Sequence, residues 1–137
     1  MYILIAILIF GFLIFIHELG HFLTAKALDV QVNEFSICMG PALLKKQRGE
    51  TLYSLRCIPI GGFCAMEGED GDSDNPRAFT SKSWWRRLII LAAGSFMNFL
   101  TGLLVLVIVY SCAAPSSTAR IDSFFEDCPY QSGRSSP

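Results

Sequence analysis

Phe15-Ile16-His17-Glu18-Leu19-Gly20-His21-Phe22-Leu23 lies inside an apolar run that extends from Met1 to Leu28. Glu18 and Lys26 are the charged residues of that run. On a helix, residues i and i+4 share a face, so His17 and His21 can each turn a ring nitrogen toward one zinc ion. Glu18 lies about 100° round the helix from His17 and reaches a zinc-bound water rather than the metal. Zinc lowers the pKa of such a water to around 7, and a carboxylate beside it takes the proton. His-Glu-x-x-His is a short pattern, and its setting is what makes it informative. An ionisable group at membrane depth costs roughly 2.5–3.5 kcal/mol on insertion scales and marks a functional position. At about 1.5 Å per residue, His17 is ~24 Å from the start of the run, ~6 Å short of the far side of a hydrocarbon layer of roughly 30 Å. The plainer reading is three hydrated, idle polar residues near a helix end. The metal reading is preferred, because chance would also have to supply the metalloprotease spacing.

The chain has 137 residues, of which 52% are apolar and 17% charged. Soluble domains carry about 25% charged residues. A net charge of −1 supplies no basic field, so nucleic acid is not an expected partner. The five cysteines are an odd number and form no Cys-x-x-Cys, which argues against both a disulfide framework and a zinc ribbon. A second apolar run, this one without a charge, extends from Leu88 to Ala114. Each run is long enough for a helix to cross a bilayer. A signal peptide is disfavoured for the first, since no basic residue precedes Lys26.

Nine of the eleven basic residues lie between Lys26 and Arg87. The positive-inside rule therefore places residues 29–87 in the cytoplasm and both termini outside. Trp84-Trp85-Arg86-Arg87 reads as an interfacial anchor at the entry to the second helix. The fold class expected is membrane α-helical: transmembrane helices over 2–28 and 88–114, a cytoplasmic or interfacial loop over 29–87, and a tail over 115–137. Within the loop, Phe35–Leu44 and Thr51–Ile58 read as strands and 47–50 as their turn. Pro59-Ile60-Gly61-Gly62-Phe63 reads as a kinked exit from the second strand. The acidic stretch Glu67–Asp74 lacks the spacing of a calcium loop and reads as a solvated segment.

These residues together resemble the site-2 protease family of intramembrane zinc metalloproteases, and in particular its regulator-of-sigma-E protease type. HELGH at 17–21, FSICMGP at 35–41, TLYSLRCIPIGGF at 51–63 and GSFMNF at 94–99 are similar to the family's stretches, in the same order. Ser95 stands where the family has Pro, so a straighter helix is expected there. The resemblance implies Zn2+ held by His17 and His21, and Glu18 as general base. It implies a membrane-re-entrant β-hairpin around 35–63, with Gly61 and Gly62 among the residues that hold an unwound substrate by strand addition. Asn98 is implied as a residue facing the substrate. From spacing alone, Gly94, Asn98 and Gly102 share one helix face, which equally suits plain helix packing. The implied partners are the lipid bilayer and a transmembrane protein substrate, an anti-sigma factor being one such, in a bacterial inner (plasma) membrane.

A catalytic zinc site takes three protein ligands and a water. The family's third is an Asp on a later transmembrane helix, and Leu28-Asp29-Val30 does not match its motif. The family also has PDZ domains after the second helix, and 121–133 resembles only the opening of one. The chain is accordingly expected to be a truncated copy of a longer protease, binding zinc weakly with little turnover. The alternative function is a catalytically inactive membrane module that binds transmembrane substrate helices without cutting them. A third option, a membrane-anchored enzyme with a soluble zinc domain, is disfavoured because the motif continues the apolar run without a break.

Overall fold

The computed structural model describes residues 1–71 and 73–112. Four elements follow one another: α1 (Tyr2–Ala27), β1 (Val32–Arg48), β2 (Thr51–Met66) and α2 (Trp84–Cys112). The compact unit is Met1–Val105, and the last turns of α2, Leu106–Cys112, belong to a second unit and are exposed throughout.

Both helices are long and apolar enough to cross a membrane, with mean hydropathies of 2.5 and 2.1 over their most apolar windows. Only 6% and 11% of those windows is buried within the protein. A core helix of a soluble protein hides its apolar face, whereas these helices leave Ile3, Leu8, Phe99 and Leu104 at least half exposed. α1 stops in a turn that its sequence supports. Asp29 takes φ +56°, the Val30 amide donates to the Ala25 carbonyl at 2.8 Å, and the Asp29 amide donates to Lys26 at 3.3 Å. This is the Schellman arrangement, with Asp in the left-handed position and the apolar pair Val30 and Ala25 closed over it, both fully buried. Asp29 is thereby committed to the helix end, 2.8 Å from the Arg77 Nε. α2 begins at Trp84, so the Trp-Trp-Arg-Arg anchor lies inside the helix and not ahead of it, a correction to the expected start at Leu88. It runs unbroken through Ser95, as expected of a residue that leaves its amide free to bond.

The strands are longer than the sequence suggests. Pro59–Phe63, expected as a kinked exit, instead belongs to β2, which continues through it to Met66. The reason is that the hairpin doubles back on itself. Near the tip, Arg48 faces Thr51 and Lys45 faces Ser54. Gly49 occupies the first position of the two-residue turn with φ +62°, the sign that a type II′ turn needs there. Farther along, Ile37 has partners on both sides, Leu55 and Gly62, and Phe35 likewise has Tyr53 and Cys64. The fold-back occurs where Cys38, Gly40 and Gly61 take φ values of +69°, +87° and +90°. Pro41 and Pro59 flank the same corner. The corner lies far along α1 from the tip, since the Pro59 carbonyl would be 3.1 Å from a β-carbon on Gly11. The tip returns to the end of α1, where Glu50 pairs with Lys26 and with Arg77. A small core of Ala25, Val30, Val32, Phe35, Met66 and Ile90 joins α1, the hairpin and α2. The Phe35 and Phe22 rings are 4.9 Å apart within it.

Candidate metal centre

The i, i+4 spacing brings the two histidines together as expected, with His17 Nε2 and His21 Nε2 3.1 Å apart. Two nitrogens bound to one tetrahedral zinc at about 2.0–2.1 Å would be ~3.3 Å apart. Two nitrogen lone pairs facing each other at this range repel unless a proton or a cation lies between them. His21 Nδ1 is 2.8 Å from the backbone carbonyl of Ile90 on α2. A carbonyl only accepts, so Nδ1 carries the proton and Nε2 presents a lone pair, the outer-shell arrangement typical of metal-bound histidine.

Gly94 makes room for this. A β-carbon there would lie 2.5 Å from His21 Nε2 and 2.8 Å from His17 Nε2. Any side chain at 94 would fill the point where the two nitrogens converge. Gly20 plays the reciprocal part, because a β-carbon on it would be 2.6 Å from the Ala93 carbonyl. Two glycines, one on each helix, let α1 and α2 close to the distance at which the Ile90 carbonyl reaches His21.

Glu18 faces the hairpin. The Cys64 backbone amide bonds toward its carboxylate. A β-carbon on Gly62 would lie 3.6 Å from Glu18 Cγ and 2.9 Å from the Ser36 carbonyl. Gly62 is therefore brought to the site, while Gly61 turns the corner beneath Met39. A cleft of about 340 Å³ opens beside Glu18 and His21, walled by 63–66 of β2 and Leu91, with Glu69 and Asp70 at its margin. The Met66 amide donates to Glu69 at 3.3 Å. The Met66 amide is thus directed to a carboxylate in the cleft, while Cys64 and Met66 stay in register with Phe35 and Val32 of β1. Asn98 lies one turn beyond Gly94, and its Oδ1 is buried with no hydrogen-bond partner among the described residues.

The pair fits two ligands of a zinc site. Among the described residues, no third His, Cys, Asp or Glu joins them. Cys64 lines the cleft on the hairpin side. Sequence reasoning missed the Ile90 carbonyl and the Cys64 amide, since a backbone group leaves no signature in residue type. It named Gly94 as a small packing residue without assigning it to the metal pocket.

The Peptidase family M50 model matches residues 5–131. The chain belongs to that family, the site-2 protease family. It is 54% identical over 107 residues to a protein of Clostridium acetobutylicum named as a candidate zinc metalloprotease, covering 78% of this chain and 32% of that one. A relative of the same description from Clostridium perfringens is 45% identical over 107 residues, with the same coverage. Another, from Chlamydia trachomatis, is 43% identical over 137 residues, covering 91% of this chain and 21% of that one. This chain thus spans about a third of the length of the first two relatives and less of the third. The expected PDZ-like opening at 121–133 lies outside the described residues.

Proposed function

We propose that this M50 chain forms the zinc-binding helix and substrate-holding hairpin of an intramembrane metalloendopeptidase that cleaves a transmembrane protein substrate near the cytoplasmic face. The convergence of the two Nε2 atoms over bare Gly94, within helices of spanning length, carries this reading. His17 and His21 would hold Zn2+, with a third ligand from outside the described residues. When bound, the ion polarises a peptide carbonyl and acidifies a water. Ile90 holds His21 in the tautomer that leaves Nε2 free. The Cys64 amide aims Glu18 at the proton it accepts. A helical substrate must be unwound before it is cut, and the 62–66 edge of β2 beside Glu18 offers an extended backbone on which to hold it. Asn98, with an unmet acceptor one turn from the metal pocket, would take a hydrogen bond from the unwound segment. The apolar corner of the hairpin, as deep as Gly11, supports its placement within the bilayer. The distribution of basic residues supports placing 29–87 on the cytoplasmic side, and the family resemblance implies a bacterial plasma membrane.

Metal analysis of the purified chain tests this reading. The expected result is weakly held zinc, at most one per chain, lost in His17→Ala and His21→Ala and kept in Glu18→Gln. Equal zinc in the histidine variants would overturn it. The second reading, a module that holds substrate helices without cutting them, is favoured by the two-ligand set among the described residues. It requires that Glu18→Gln leave every measured property unchanged.

A further inference from the structure

Away from the metal pocket, the doubled-back hairpin and α1 enclose a groove of about 530 Å³. Its apolar lining includes Phe15, Ile37, Leu44 and Leu55, and Lys45 and Lys46 stand on its border. Phe15 is two residues before His17, about 200° round α1, so the groove and the metal pocket use different faces of that helix. A second recess, of about 380 Å³, is lined by Lys46, Arg48 and Tyr53 and shares Lys46 and Tyr53 with the first. One recess is oily, and the other is cationic with a phenol. Among the described residues, no carboxylate is within ion-pair distance of Lys45, Lys46 or Arg48, whereas Lys26, Arg56, Arg77 and Lys82 all have acidic partners. Three exposed, unpaired cations beside an apolar groove call for an amphipathic anion.

We propose that this paired recess binds an anionic phospholipid, one acyl chain in the Phe15–Leu44–Leu55 groove and the phosphate between Lys46 and Arg48. The inference rests on the reading of α1 and the hairpin as membrane-embedded. Lys45 and Lys46 follow Leu43 and Leu44, which are 63% and 68% exposed. Their stems can lie along the groove while the ammonium groups reach up to the headgroup level. A lipid seated there covers the face of the hairpin turned away from the substrate edge, bracing the strands that carry the Cys64 amide. Charge complementarity selects the lipid over a neutral apolar helix as the occupant.

The test uses the chain in nanodiscs of equal phosphatidylglycerol and phosphatidylcholine, with retained lipid identified by native mass spectrometry. The expected result is preferential retention of phosphatidylglycerol. That preference should fall about fivefold for each charge removed in the series Lys46→Gln, Arg48→Gln and Lys45→Gln. The double variant Arg86→Gln/Arg87→Gln, basic but outside the groove, should keep it. Equal retention of the two lipids overturns the inference, as does a preference that survives the triple Gln variant or is lost in the control. Soluble glycerol 3-phosphate displacing the lipid at similar concentration would reduce the site to an anion site and overturn it. Displacement by a transmembrane peptide of neutral composition would assign the groove to substrate and overturn it too. Failure to insert into phosphatidylcholine discs would sink both this inference and the membrane reading. Normal insertion without lipid preference would sink this inference alone.

Discussion

The α-carbon of Gly94 faces His21 so closely that a β-carbon would stand 2.5 Å from its Nε2. The space that a metal ion needs is therefore the space that a methyl group would take. Gly94→Ala is expected to lower zinc affinity at least about a hundredfold, beyond the usual effect of an outer-shell change. Isothermal titration with zinc, alongside circular dichroism to confirm that the helices persist, measures it. Unchanged affinity would show that the ion lies elsewhere.

Cys38 takes φ +69° at the corner of the hairpin, a conformation that burdens a residue with a β-carbon. Glycine relieves about 1–2 kcal/mol of that strain but loses about 0.5–1 kcal/mol through the entropy of the unfolded chain. Cys38→Gly should therefore stabilise the protein by about 0.5–1 kcal/mol net, read as a rise in melting temperature in detergent. A lower melting temperature would mean that the thiol makes contacts worth more than the strain.

The hairpin tip is tied to α1 by Glu50. Hydrogen bonds from Arg77 first, and from Lys26 next, hold its carboxyl down at about 2. A carboxylate whose folded value is depressed stabilises the fold above its ordinary value and loses that contribution as pH falls through the folded one. The tip should stay protected from amide exchange above pH ~4.5 and open progressively between there and about 2. Glu34, which burial would raise but the Ser54 hydroxyl and Arg56 guanidinium hold below the usual carboxylate range, shifts in the same direction. Hydrogen exchange on Gly49 and Thr51 against pH follows the opening. Glu50→Gln should remove most of the dependence at the tip.

Glu69 accepts the Met66 amide at the cleft margin, where an added strand would present its own carbonyl. If substrate binds along 62–66, it competes with this carboxylate. Glu69→Ala should lower KM several-fold in a protein of full catalytic competence and leave kcat nearly unchanged. A raised KM would make Glu69 a contact for substrate instead.

Phe35 is nearly buried, and its ring meets those of Phe15, Phe22 and Tyr53. Phe35→Ala should cost about 3–5 kcal/mol, because a cavity would remain where α1 and the hairpin join. Chemical denaturation in mixed micelles gives the value. A loss below 1 kcal/mol would mean that the joint collapses around the gap.

Local chemistry made much of this protein legible from residue order. Two long apolar runs, the second without a charge, must be helical in lipid, because no water is there to bond the backbone. A four-residue spacing places His17 over His21 whatever the rest of the chain does. The turn over 47–50 and the family resemblance are also legible in residue order alone. The tertiary structure decided what depends on residues far apart in the chain. The tautomer of His21 is set by a carbonyl 69 positions away. The doubling of the hairpin joins Ile37 to both Leu55 and Gly62, a pairing that alternation of side chains cannot specify, because both halves of β2 satisfy it equally. Gly94 and Gly62 became parts of the site through the absence of a side chain, and absence acquires meaning only once the neighbour that fills the space is in place.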